Sequence, residues 1–502
     1  MKRLSKFGFS SAGLLAIGGL CVAAGISVTA MGCSGDPKPP PAGPPEVQTF
    51  QPQGCGFSIA TRAEYPSFVL GEPTVSAAPD IRRVRLGLGG NVEVGAAGRA
   101  DPATSAGFGW QTDLETLATE VQWGKTPDPT TWPAENRTKG VTFISPEGAL
   151  APGTGEDRMH EAYVCGLEPA TTYYYRVGGG PAGKEVWSDV YSFTTTPKDP
   201  NTEVTLGISG DSRGQDNEAF RLIQMRMMKA GVTAEIFSGD MVNFATDQNE
   251  WHKWLDLAWK DSTGNLSALG QILMLSTHGN HENHTVHFYS SVILPQDPKF
   301  AKYAELIYSV DIGPIHLVVV DDFWVTSPTG DPDYAPMLKA WLEKDLEAAN
   351  ANRANVPWIV VSHHHGEFSS SSHGADTDVL KGREFFVPIW DKYHVDFAAL
   401  GHDHNYERSK PVSGPLTGDT LDPVVQPTPD KGTIYMICAG AGADAYGKGT
   451  SAWTDKSEVY DSKTTFGFYS FLKANKTTLT LESHHLVADG SDPIIDTLTI
   501  TK

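Results

Sequence analysis

Beyond Pro200, five apolar runs each stop at residues able to hold a metal ion. "VTLGIS" ends at Gly210-Asp211, "AEIFS" at Gly239-Asp240 and "ILMLSTH" at Gly279-Asn280-His281-Glu282. "WIVVS" ends at His363-His364-His365, and "VDFAAL" at Gly401-His402-Asp403-His404. Carboxylates, an amide and imidazoles gathered without a cation would repel one another and lose hydration uncompensated; divalent ions remove both objections. A mixed oxygen and nitrogen donor set suits zinc, iron or manganese better than calcium. A Gly-Asp pair alone is an ordinary turn. The argument rests on five such endings in order, and on two alternate histidines at 402 and 404 able to serve two ions.

The elements that must position these residues are legible around them. Apolar β-rich runs alternate with helical stretches such as "EAFRLIQMRMMKA" and "YAPMLKAWLEKDLEAAN", the pattern of a layered α/β domain over 201–502. Trp, Leu and Ala spaced by three and four in the second stretch make its core face. In a sheet carrying parallel strands the carboxyl ends share one edge, which is where ligands sit. A glycine ahead of each ligand lets the chain turn off the strand and lets backbone come close to the ions. Residues 47–197 read differently: "ATEVQWG", "MHEAYVCGL", "TTYYYRVGG" and "VYSFTTT" alternate with turns and show no helical period, which predicts an all-β sandwich. Tyr173 and Tyr175 are read as its core.

Lys2, Arg3 and Lys6 precede an apolar stretch from Phe9 to Ala30, and Cys33 follows Gly32. This is the form of an export signal over 1–33. "TAMGC" resembles a bacterial lipobox with Ala30 where Leu or Val is preferred, making Cys33 the expected lipid site; plain cleavage or an uncleaved anchor stays open. "SGDPKPPPAGPPE", 34–46, is a Pro-rich tether. The expectation is an exported protein, periplasmic or at the cell surface, touching membrane only through this lipid or anchor. The formal charge of −21 becomes −24 without the three bases of the signal, which argues against coating nucleic acid or anionic lipid. A phosphate substrate would then need a local positive centre. Cys55 and Cys165 fall in one domain and would be free to form a disulfide in an oxidising compartment; with Cys438 there are three thiols outside the signal, so they cannot all pair within the chain.

The order GD, GD, GNHE, V-x-x-H, GHxH resembles that of the calcineurin-like metallophosphoesterases. With "GHDHNYERS" close to GHxHxYERS, and with "LEPATTYYYRV" and "SFTT" resembling a fibronectin type III domain in front, the chain looks most like the purple acid phosphatases. The resemblance covers roughly 47–502. It implies a fibronectin III-like sandwich followed by a four-layer α/β/β/α metallophosphoesterase domain. By matching motif it implies two metal ions, Fe, Zn or Mn: Asp211 and His404 on the first, Asn280, His363 and His402 on the second, and Asp240 bridging. His281 matches the residue that stabilises or protonates the leaving oxygen, and His373 lies near where a histidine contacts substrate. Asp403 is expected to point elsewhere, with His364 and His365 on the rim.

Two departures matter. Asn243 stands where the family has the tyrosine that binds ferric iron and gives the colour, and Arg213 stands where relatives without that tyrosine carry a histidine. The first metal is then left without a protein ligand, filled by Asn243 or water, or weakly bound. Arg213 reads either as a guanidinium gripping phosphate oxygens or as a surface residue paired with an acid. The expected activity is hydrolysis of phosphate monoesters on a small-molecule or nucleotide substrate, by water activated between two metals about 4 Å apart. A phosphodiesterase or nucleotidase on the same site and a surface binding module with a degenerate site are the alternatives.

Overall fold

The computed structural model describes residues 48–60, 68–213, 218–256, 266, 268–327, 329–414, 423–459 and 465–502. The export signal, Cys33 and the Pro-rich tether lie outside the described residues. Glu46–Lys502 forms one compact unit.

Within it the strand-rich part is a sandwich of two five-stranded antiparallel sheets. One runs in the order Val69–Leu70, Val141–Ser145, Asp157–Cys165, Ser105–Thr112, Arg82–Gly87. The other runs Val186–Trp187, Thr172–Gly179, Glu120–Gly124, Arg137–Lys139, with Tyr191–Thr194 also on Thr172–Gly179. Alternate residues of both sheets meet in an aromatic core, with Phe108 and Tyr175 at 4.5 Å between ring centroids and Phe193 against both. Tyr173 and Tyr175 are both buried there. Cys55 and Cys165 are disulfide-bonded, closing a loop of 110 residues onto the sandwich, and Cys438 is free and buried.

The layered part holds two mixed sheets. In the first, Val204–Ser209, Ala234–Phe237 and Leu273–Ser276 run parallel, and Thr465–Ala474, Thr478–Val487 and Ile494–Thr501 complete it antiparallel. In the second, Ile315–Val320, Trp358–His365, Phe397–Gly401 and Ile434–Cys438 run parallel, flanked by Ile307–Ile312 on one side and by Tyr406–Ser409 and Thr454–Glu458 on the other. Strands buried on both faces explain the nearly unbroken apolar runs of the sequence. The sheets touch where Cys438 Sγ meets Ser470 Oγ at 3.3 Å and the Ile208 carbonyl at 3.8 Å. Helix Glu218–Ala230 lies against the first sheet, and Thr377–Tyr393 against the second with Tyr334–Ala351 beside it. Among the described residues no helix is long and apolar enough to cross a membrane.

The two parts are joined by buried polar contacts rather than by a bare linker. Tyr175 Oη donates to the Gly270 carbonyl at 2.5 Å, Trp341 Nε1 to the Val92 carbonyl at 3.1 Å, and Arg99 pairs with Asp345 at 2.8 Å. One apolar core runs through both parts.

Candidate metal centre

Every polar group of interest leaves a parallel strand at its carboxyl end, so the two sheets bring them to one edge. Asp211, Asp240 and His402 adopt positive φ angles of 57°, 59° and 75°. An L-residue rarely occupies that region, and its cost of about 1–2 kcal/mol is tolerated only where the surroundings impose it. The strained turn therefore falls largely on the donor residues themselves rather than on the preceding glycines. Gly279 and Gly401 serve close approach instead: a Cβ on Gly279 would stand 2.3 Å from Asp240 Oδ1, and one on Gly401 would stand 2.7 Å from Asp211 Oδ2. Glu282 ties the loops together, its buried carboxylate accepting from the backbone N–H groups of Asp240, Met241 and Gly279 at 3.0, 2.7 and 2.7 Å. Burial, then the charge of Asp240, pushes the Glu282 carboxyl up to about 8.

One half of the centre is a set of lone pairs facing one another. His364 Nδ1 lies 2.7 Å from the Ser238 carbonyl; a carbonyl only accepts, so that nitrogen carries a proton, and a ring with this single proton has Nε2 as its acceptor. Nε2 faces Asn280 Oδ1 at 2.9 Å and Asp240 Oδ1 at 3.4 Å. His402 Nδ1 reaches the same Asn280 oxygen at 3.1 Å. Burial, reinforced by the neighbouring His365, His364 and His373, holds His402 well below the ordinary imidazole range, so its ring stays neutral. Asp240 Oδ2 and His402 Nε2 are buried without a hydrogen-bond partner. Donor atoms of Asp211, Asp240 and His364 all lie within 4.8 Å of one another. Acceptors so placed fit a cation.

The other half is built differently. His404 Nδ1 donates to the Asp444 carbonyl at 2.5 Å, leaving Nε2 as the acceptor, 3.5 Å from Asp211 Oδ1. Arg213 enters there. Its Nε and Nη2 lie 3.3 and 3.1 Å from His404 Nε2, its Nη2 donates to Tyr446 Oη at 2.7 Å, and its Nε is 3.5 Å from Asp240 Oδ2. Tyr446 stacks on the His404 ring with centroids 4.0 Å apart. His281 Nδ1 donates to the Asn243 carbonyl at 2.7 Å, and its Nε2 accepts from Arg213 Nη1. Asn243 thus enters the site through its backbone. In this state His281 Nε2 has no proton to pass to a leaving group.

One expected ligand is replaced. His363 faces away from the cluster: its Nδ1 lies 3.2 Å from Asp322 and its Nε2 2.9 Å from Glu367, with Phe386 stacked on the ring. The two carboxylates overcome burial and push it up to about 10, so it is a buried imidazolium with no lone pair to offer. His364, expected on the rim, is fully buried and takes the place at the cluster. A signal for this exists, since Val361-Ser362-His363-His364 fits V-x-x-H as well as Val360-Val361-Ser362-His363 does. His365 is also buried, held by Asp322 through its backbone N–H at 2.8 Å, with its ring 4.3 Å from His402. Asp403 points elsewhere, accepting from Ser369 Oγ and from the backbone N–H of His373. His373 is partly exposed beside the cluster, its ring 4.7 Å from His402 and 5.1 Å from Tyr446.

Two further groups contain possible donors: His278, His284 and Asp321, and His365, Asp378 and His402. The first is tied together by its own contacts, with His284 Nε2 2.9 Å from Asp321 Oδ2. His278 Nε2 accepts from the His284 backbone N–H at 2.7 Å, so its proton lies on Nδ1, 3.4 Å from Asp321.

Residues 93–195 match the family model "Purple acid Phosphatase, N-terminal domain", and 204–406 match "Calcineurin-like phosphoesterase". The chain is 26% identical over 356 residues to "Purple acid phosphatase 1" of Ipomoea batatas, which covers 68% of this chain and 70% of that one. It is 28% identical over 312 residues to "Fe(3+)-Zn(2+) purple acid phosphatase 12" of Arabidopsis thaliana, covering 58% and 60%. Its fold is similar to that of the purple acid phosphatase PPD1 from yellow lupin (Lupinus luteus) seeds, with a TM-score of 0.62 over 84% of this chain and 74% of that one at 19% identity. The sandwich in front, the two mixed sheets and the strand-end motifs at their shared edge, together with these matches, make the chain a purple acid phosphatase-like member of the calcineurin-like metallophosphoesterases.

Proposed function

We propose that this chain is an exported, metal-dependent phosphoric ester hydrolase that prefers phosphate monoesters. The observation that carries this is the convergence of Asn280 Oδ1 and Asp240 Oδ1 on His364 Nε2, with Asp240 Oδ2 and His402 Nε2 buried beside them without a hydrogen-bond partner. These four residues would hold the ion. A bound cation of this kind acidifies a coordinated water and polarises a phosphoryl oxygen. Iron and zinc in the printed name of the Arabidopsis relative, and phosphatase in the names of several others, support the reading. The Cys55–Cys165 disulfide supports an oxidising compartment.

The remaining work falls to the chain's own side chains. Arg213 is held at the same edge and brings a permanent positive charge to a chain whose net charge is −21. Its planar fork suits the oxygens of a phosphoryl group. His373, partly exposed beside His402 and Tyr446, would meet the substrate beyond the phosphate, a small phosphorylated molecule or a nucleotide.

The test is hydrolysis by the purified chain after loading with Zn, Mn or Fe, comparing p-nitrophenyl phosphate with bis(p-nitrophenyl) phosphate. Faster monoester turnover that disappears on chelation and in Asp240→Asn is expected. A diester preference would move the reading to a phosphodiesterase, and no turnover with any of the metals would leave a binding module.

A further inference from the structure

We infer that Arg213 occupies the first metal position as the chain's own cation, so that the centre takes one metal ion and a guanidinium where two metals would be expected. This deepens the reading above and rests on it. The evidence is in the direction of the lone pairs. His404 is fixed by the Asp444 carbonyl with Nε2 as acceptor, and His281 is fixed by the Asn243 carbonyl in the same way. Both acceptors take N–H groups of Arg213, and Asp240 Oδ2, the oxygen not facing His364, lies 3.5 Å from Arg213 Nε. A metal ion bound by His404 Nε2 and Asp240 Oδ2 would need the space and the lone pairs that the guanidinium already uses.

The guanidinium is also braced. Tyr446 Oη accepts from Nη2 at 2.7 Å, and the Tyr446 ring stacks on His404 at 4.0 Å, so the loop that supplies Tyr446 clamps both the arginine and the imidazole it contacts. Arg213 side-chain exposure is 13%, which is that of a group set into the site rather than lying on the surface. Among the described residues the second position has no such occupant: the side chains converging on His364 Nε2 are the acceptors of Asn280 and Asp240. An aspartate pair that shares a metal and a monocation places less positive charge on the phosphate than two metals would, and it assigns phosphate orientation to the fork of Arg213.

The test counts metal on the purified chain after reconstitution with Mn(II) and removal of excess, by elemental analysis and by electron paramagnetic resonance. The expectation is about one equivalent with the spectrum of an isolated ion, against about two with an exchange-coupled spectrum in Arg213→His, where an imidazole replaces the guanidinium. Two coupled ions in the unsubstituted chain would overturn this inference and leave the hydrolase reading standing. A single ion in Arg213→His would also overturn it, because the arginine would not be what limits occupancy. No ion on either protein, with no hydrolysis, would overturn the hydrolase reading itself. The count on the unsubstituted chain decides the matter even if Arg213→His does not fold.

Discussion

The two halves of the metal centre use the same residue types and meet opposite fates. Around His364, Asn280 and Asp240 the acceptors face one another; around His404 and His281 the acceptors face Arg213. In both halves the imidazole tautomer is set by a backbone carbonyl: Ser238 for His364, Asp444 for His404 and Asn243 for His281. What differs is the origin of the positive charge. One half would take its positive charge from a bound ion, and the other carries a group that cannot lose its proton at any ordinary pH. Donor geometry alone therefore does not count metals; the cations that the chain itself sends into the cluster must be counted as well.

The comparison breaks most sharply at His364 and its neighbour. His364→Ala should cut metal affinity and hydrolysis by about a thousandfold or more, because it removes one of the four donors and the only one facing both Asn280 and Asp240. His363→Ala should keep the metal but lose about 3–5 kcal/mol of stability, since it leaves Glu367 buried without its counter-ion and Asp322 with His365 as its remaining histidine partner. Metal analysis together with urea unfolding separates the two, and loss of metal in His363→Ala alone would reverse the assignment.

A lesion in the sandwich should leave the centre's occupancy alone. Cys165→Ser opens the 110-residue loop and is expected to cost about 2–5 kcal/mol, seen as a lower denaturation midpoint at unchanged metal content per folded chain. A change in metal content would show that the sandwich shapes the centre directly.

The contrast between a fixed and a titrating cation can be read elsewhere in the molecule. His316 is buried between Asp345 at 2.9 Å and Asp311 at 2.7 Å, which overcome burial and push it up to about 9. A histidine raised in the folded state stabilises fully below its unfolded value of about 6.5, and that contribution is lost as pH rises through about 9. The shift corresponds to at most about 3–4 kcal/mol. Chemical denaturation at pH 6 and pH 9.5 should show a loss that is absent in His316→Gln. An equal loss in the variant would place the titrating group elsewhere.

The smallest effect is expected at Tyr446→Phe, which deletes the hydroxyl that accepts from Arg213 while keeping the stack on His404. A lost hydrogen bond to a charged group costs about 1.5–3 kcal/mol at most, less where water replaces it. The expected result is a several-fold rise in KM for a phosphate monoester with little change in stability. An unchanged KM would mean that Arg213 keeps its place without the clamp.

Much of this was legible in the chain. Asp211, Asp240, Asn280, His402 and His404 each close an apolar run, and period, turn residues and donor chemistry all pointed to one sheet edge. The choice between His363 and His364 was not, because V-x-x-H fits in two frames and an irregularity in pairing between Ser362 and His365 removes the parity by which alternate strand residues would have decided it. Tyr446 was invisible for a different reason. Its partner Arg213 is 233 residues away, and nothing local in "GADAYGKG" marks a site.

What the sequence by itself determined was a set of donors at strand ends, a sandwich ahead of them, and the absence of a tyrosine at Asn243. These follow from periodicity and residue chemistry, which act over a few neighbours. Which imidazole faces Asn280 and Asp240, where the positive φ angles fall, and which groups Arg213 contacts were decided only by tertiary structure. Each depends on the direction of a lone pair or a side chain, and that direction is set by carbonyls and carboxylates brought from distant parts of the chain.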